Sequence, residues 1–286
     1  MALTTLGILA ALAGAQTDTT VTIRSGGRLE LDSFDGTVEI TTWSRNAVRV
    51  EPAGEDRSEV EVTSDGSVVR VRSSGRDGPG SVDYRITVPA AIEISVMGHS
   101  GDVRIEGTTG KITVETVEGD ITVRGGGGFV SLHSVEGDIT LSKARGRTEL
   151  NSVDGNIRAS DIGGEVVAET VDGEIALDGI ESASIEATTV DGSVSYRGTF
   201  KDGGRYRFNT HSGDLTVTVP QVNATVSVST FNGGFESDFP LTLSSTRGGK
   251  RLSFTLGSGS ARVELESFDG SIALRRAGAP KPKPSR

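Results

Sequence analysis

The phrase Val117-Glu118-Gly119-Asp120-Ile121 returns as Val135-Glu136-Gly137-Asp138-Ile139, Val153-Asp154-Gly155-Asn156-Ile157, Val171-Asp172-Gly173-Glu174-Ile175 and Val190-Asp191-Gly192-Ser193-Val194. Its period is 18 residues, stretched to 19 at the last step. A finer grid lies beneath it: Gly101, Gly110, Gly119, Gly128, Gly137, Gly146, Gly155, Gly164 and Gly173 fall nine apart without a miss. Repetition at a fixed short period is the mark of an array in which each unit buries its apolar face only against its neighbours.

Within each nine-residue unit, apolar residues stand two, four and seven places after the glycine. They are Ile112, Val114 and Val117 after Gly110, then Val130, Leu132 and Val135 after Gly128, and Ile175, Leu177 and Ile180 after Gly173. The first two alternate with the period of a strand, and the third is expected to return inward past a bend. A five-residue strand and a tight corner, repeated, can bury an inner face only by winding into a coil. Two nine-residue half-repeats make one 18-residue coil. The predicted fold is therefore all-β: a β-solenoid (β-helix) with two main faces, each coil pairing with the next at ~4.8 Å.

Working outward, Leu29-Glu30-Leu31-Asp32-Ser33-Phe34-Asp35-Gly36 and Val263-Glu264-Leu265-Glu266-Ser267-Phe268-Asp269-Gly270 are nearly the same phrase, so coils are expected near both ends. Gly213 and Phe231-Asn232-Gly233 add coils with longer loops. Residues 45–97 break the grid and are expected to form enlarged coils or a lateral excursion that caps the open edge. Residues 2–13 carry no charge and lead into Ala13-Gly14-Ala15, which reads as a secretory signal peptide too short to span a bilayer. The predicted organisation is a leader over 1–15, N-terminal coils or cap over 16–97, a regular solenoid over 98–276 continuous with it, and a disordered Pro/Lys tail over 277–286.

The 286 residues include 39 Gly, about twice the usual share, with only 8 Pro and no Cys. The grid accounts for much of that excess as corner punctuation. The missing Cys excludes a disulfide framework and a thiol nucleophile. A formal net charge of -10 argues against nucleic acid as a partner, and aromatics at 5 % offer few stacking platforms.

These Thr/Ser-Val-Asp/Glu-Gly-Asp-Ile-Thr-Val repeats, the opening Gly36-Thr37-Val38-Glu39-Ile40-Thr41-Thr42-Trp43 and the strand from Val82 to Pro89 resemble the bacterial family of provisionally named adhesins. This is a cell-envelope repeat family of unknown function. The resemblance spans roughly residues 20–275. It implies an exported, non-enzymatic β-helical protein of the periplasm or cell surface, and brings no catalytic residues with it.

Candidate chemistry is sparse. Glu118, Glu136, Asp154, Asp172 and Asp191 hold one place in successive coils and should stack along a corner. Repulsion of about 1 kcal/mol per neighbouring pair would then invite weakly held cations, although turn acids explain the column as well. Asp120, Asp138 and Glu174 form a second, broken column. Thr116, Ser134, Ser152, Thr170 and Thr189 should hydrogen-bond between coils. His99 and His211 should pack at corners, and His133 should face solvent. Gly125-Gly126-Gly127-Gly128 lacks the helix and Lys-Ser/Thr of a phosphate loop and reads as a corner. No cofactor is implied. The expected function is a non-catalytic envelope or surface scaffold whose partner is a protein or polysaccharide. A carbohydrate-active β-helix enzyme and an end-to-end polymerising scaffold are the alternatives, and a homo-oligomer is compatible with the last.

Overall fold

The computed structural model describes residues 18–53, 59–74, 80–241 and 251–278. The leader over 1–15 and the tail beyond Gly278 lie outside the described residues. Strands and turns make up the described residues, with no helix among them, and the chain divides into two compact units, Met1–Arg145 and Gly146–Arg286.

In the first unit, half-repeats alternate between two sheets. Arg28–Asp35, Glu93–Ser100, Ile112–Glu118 and Gly127–Glu136 pair in parallel in one. Val38–Trp43, Val103–Glu106, Ile121–Arg124 and Ile139–Ser142 pair in parallel in the other. The registers hold equivalent positions together: Ile112 lies between Ile94 and Val130, and Val114 between Val96 and Leu132. All six are buried, so the two sheets face each other across stacked columns of Ile, Val and Leu.

Segment 45–97 is the expected excursion, but it also reorders the stack. Val68–Ser74 pairs in parallel with Arg28–Asp35, and Asp83–Pro89 with Val38–Trp43, which makes a coil on the far side of the chain's first one. The chain then crosses back to Glu93–Ser100. Antiparallel strands finish this edge: Glu59–Ser64 on Val68–Ser74, and Ala47–Ala53 on Asp83–Pro89, with Thr19–Thr22 outermost. Short antiparallel terminal strands blunt an edge that would otherwise accept another coil.

The second unit repeats the plan. Arg145–Asp154, Val166–Asp172, Ser184–Asp191 and Arg205–Ser212 follow in order in one sheet. Ile157–Ser160, Ile175–Ile180, Val194–Gly198 and Leu215–Val219 follow in the other. The chain's last coil then inserts out of order. Ala261–Asp269 lies between Arg205–Ser212 and Ala224–Asn232, and Ile272–Arg276 lies between Leu215–Val219 and Phe235–Ser237. Arg251–Leu256 closes the sheet in antiparallel fashion. The near-identical phrases at 29–36 and 263–270 thus mark coils that are each inserted beside an excursion.

One expectation is corrected. The residue seven places after glycine is buried in some half-repeats (Ala144, Ile162, Ile180) but not after Gly110, where Val117 is 39 % exposed. There the strand runs unbroken through Glu118, so parity sends Ile112, Val114 and Thr116 inward and Val117 outward. The bend comes two residues later, at Gly119. Val153, Val171 and Val190 are exposed for the same reason.

Candidate functional site

The corner after each such strand is built from three residue types. Its glycine adopts positive φ (+120° at Gly119, +148° at Gly192) and lies directly against the equivalent glycine of the preceding coil. A Cβ on Gly192 would stand 2.6 Å from the carbonyl carbon of Gly173. Three places before the glycine, a buried hydroxyl turns inward and donates to that neighbouring glycine's carbonyl. Thr170 reaches Gly155 O at 3.1 Å, Thr189 reaches Gly173 O at 3.0 Å, Thr210 reaches Gly192 O at 2.7 Å and Ser267 reaches Gly213 O at 3.0 Å. In the first unit Thr116 donates to Ser134 Oγ at 3.2 Å, and Ser134 to Gly119 O at 3.4 Å. The expected hydroxyl column is therefore a latch on the corner carbonyls of the neighbouring coil.

One residue beyond the glycine, Asp102 Oδ1 accepts the N–H of Asp120 at 3.0 Å, and Asp120 Oδ1 that of Asp138 at 2.8 Å. Asn156 does the same for Glu174 at 2.9 Å, and Asp214 for Ser271 at 2.8 Å. The second acidic column is thus coil-to-coil stapling.

The first acidic column stacks as the repeat predicts. Glu118 is in register with Glu136 in the first unit, and Asp154 with Asp172 and Asp172 with Asp191 in the second. All five are exposed. Among the described residues no group of three or more His, Asp or Glu is gathered to hold a metal ion.

The feature that sequence reading missed lies between the latches and these acids. In the second unit Val153, Val171, Val190, His211, Phe268 and Phe231 point outward at one position of successive coils. The three Val and two Phe are 42–54 % exposed. His211 stacks on Phe268 at 4.8 Å and 8°, and Phe231 stacks on Phe268 at 4.9 Å and 4°. The first unit carries a shorter version, with His99 stacked on Phe34 at 5.0 Å, followed by Val117. The two histidines do pack at corners, but on the surface. His133 is half-buried on the outward face, in register with Glu115. Strand parity could have found the stripe; the expectation of a bend before the seventh position hid it.

Beside the stripe in the second unit runs a groove of about 740 Å³. His211, Phe268 and Phe231 line it together with Thr188, Asn209 and Glu266, and Arg251 pairs with Glu266 at 2.9 Å. Asn209 Oδ1 is buried there without a hydrogen-bond donor. Nothing at this site resembles an activated nucleophile or an acid–base pair. The buried titratable groups of this unit serve the backbone instead: Tyr206 OH donates to Ser182 O at 2.7 Å and accepts the Lys201 N–H at 2.7 Å, while Tyr196 OH donates to Thr199 O at 3.0 Å. Burial pushes both phenols above their usual range. No helix of the described residues is long and apolar enough to cross a membrane.

The chain is similar to a protein from Clostridium sporogenes ATCC 15579, provisionally described as a cell adhesion protein, with 11 % identity and a TM-score of 0.23 over 91 % of this chain and 99 % of that one. No curated protein matches it. Residues 26–275 match the family described as Toastrack DUF4097, and the chain belongs to that family of β-helix-like repeat proteins.

Proposed function

We propose that the protein is an exported scaffold of the cell envelope or cell surface that works by presenting a rigid contact surface rather than by catalysis. The carrying observation is the exposed apolar stripe that follows the latch residues of one sheet, longest in the second unit. The coil needs glycine, a latch hydroxyl and inward apolar residues at defined places, but nothing in its packing requires an apolar side chain facing water at the seventh. Single exposed valines are ordinary, whereas six outward apolar or aromatic residues in register form a contiguous patch of the kind that marks interaction sites.

Ring geometry favours a protein partner over a polysaccharide. Sugars stack on the open faces of aromatic rings. Here Phe268 has His211 on one face and Phe231 on the other, at near-parallel angles, so it offers only its edge. Edges and valine methyls suit apolar side chains. The test is binding of the chain from Gln16 onward to isolated envelope material, treated beforehand with either protease or glycosidase. Binding lost with protease and kept with glycosidase supports the reading. Loss with glycosidase alone contradicts the protein partner, and chemical turnover of a bound envelope component contradicts the scaffold role itself.

A further inference from the structure

In the second unit Val153, Val171, Val190 and Phe268 are each followed by an exposed carboxylate: Asp154, Asp172 and Asp191 stack on successive coils, and Asp269 lies one coil further on, beyond Ser212. Several other outward acids of these strands pair with arginine. Arg147 pairs with Glu149 at 2.8 Å, Arg207 with Glu264 at 3.2 Å and Glu186 at 3.4 Å, and Arg251 with Glu266 at 2.9 Å. Among the described residues no Lys or Arg pairs with the four corner aspartates. Several acids of the sheet face thus pair with arginine, whereas no described Lys or Arg pairs with the aspartates that border the apolar stripe. Asp154, Asp172 and Asp191 lie one coil apart and repel one another, and no described Lys or Arg relieves that repulsion.

We propose that this corner of the second unit binds a basic, extended polypeptide segment, an inference that rests on the scaffold reading and narrows its partner. Lys and Arg side chains have the two-part chemistry the corner displays. Their aliphatic stems lie along Val153, Val171, Val190 and the ring edges, while their charged heads reach the aspartates one position further round. A second copy of this chain is a poor occupant, since its own corner would bring aspartate against aspartate.

The experiment titrates the full chain with three fluorescent probes: a ten-residue peptide of alternating Lys and Val, its Glu/Val counterpart, and a neutral oligosaccharide. Calcium chloride is titrated separately. The Lys/Val peptide is expected to bind and to weaken several-fold between low and high salt. Asp172→Asn/Asp191→Asn/Asp269→Asn should weaken it about tenfold, at roughly twofold to threefold per screened charge. Val171→Thr/Val190→Thr, which keeps shape and charge, should weaken it as well and shows that the stems contribute. Equal binding of the Glu/Val peptide, indifference to the aspartate variant, or saturable calcium binding that displaces the peptide overturns the proposal. If the chain binds protease-sensitive envelope material while the Lys/Val peptide does not bind, the basic-partner inference falls and the scaffold reading stands.

Discussion

Replacing Gly192 by alanine tests the corner most severely. Its φ of +148° is a conformation that costs a residue with a Cβ about 1–3 kcal/mol. The new Cβ would also stand 2.6 Å from the Gly173 carbonyl carbon, so one coil must shift against the next. That shift loosens two bonds at least: the Thr189 hydroxyl to Gly173 O at 3.0 Å and the Gly192 N–H to Ser212 O at 2.8 Å. At about 1 kcal/mol each, the total comes to roughly 3–5 kcal/mol. For a unit of this size that corresponds to a fall in Tm of about 10 °C. Two glycines calibrate the effect within the same unit. Gly203 has φ +72° with nothing within 4 Å, so alanine there should cost only about 1–2 kcal/mol from backbone strain. Gly234 has open space and no left-handed φ, so alanine should change stability by less than about 1 kcal/mol. Thermal unfolding followed by circular dichroism ranks the three. A Gly192→Ala melt within two or three degrees of Gly203→Ala would refute the close-approach reasoning.

Three further outcomes are expected. Thr210→Val keeps the shape of the latch but leaves Gly192 O without its 2.7 Å donor, and should cost about 1–2 kcal/mol in a denaturant titration. Tyr206→Phe strands both the Lys201 N–H and the Ser182 carbonyl, and should cost about 1–3 kcal/mol by the same measurement. Asp65 accepts the Ser67 hydroxyl at 2.7 Å and the Ser67 and Val68 N–H groups at 2.8 Å, which hold its carboxyl at about 2, below the usual 3.8. Because the folded value is the lower one, its contribution is complete above pH 3.8 and is lost as pH falls through about 2. Melting temperature should therefore drop more steeply between pH 4 and pH 2 in the wild type than in Asp65→Asn, and parallel curves would contradict the turn's role.

The sequence carried the coil and its corners because a glycine held at one place by close backbone approach leaves no freedom to drift. It did not carry the order of coils. Arg28–Asp35 and Ala261–Asp269 look like terminal repeats, and only the pairing of Val68–Ser74 and Ala224–Asn232 outside them reveals the insertions. Nine-residue spacing also concealed that the corners are not all alike. Gly119, Gly137, Gly173 and Gly192 each press on a neighbouring glycine, whereas Gly128 has nothing within 4 Å and Gly110 lies against the Ile92 carbonyl. The candidate surface was legible only in part. Its acids and hydroxyls hold fixed places in the repeat, but Val117 and Val171 stand seven places after a glycine, where an expected bend would turn them inward; the strand runs on instead and its parity turns them out. Asn209 and Arg251 enter the groove through tertiary contact and leave no mark in the repeat.

The scaffold role proposed above requires that the outward apolar stripe serve contact and not the coil. Val171→Lys/Val190→Lys places two cations beside Asp172 and Asp191, and Ser195→Lys/Thr216→Lys places two on outward positions of the other sheet. Envelope binding and melting temperature measured side by side on both variants decide the matter. The account predicts that both keep Tm within about 3 °C of the wild type and that only Val171→Lys/Val190→Lys loses binding, by about tenfold or more. Binding retained by that variant, or a collapse of its melting temperature, would contradict it.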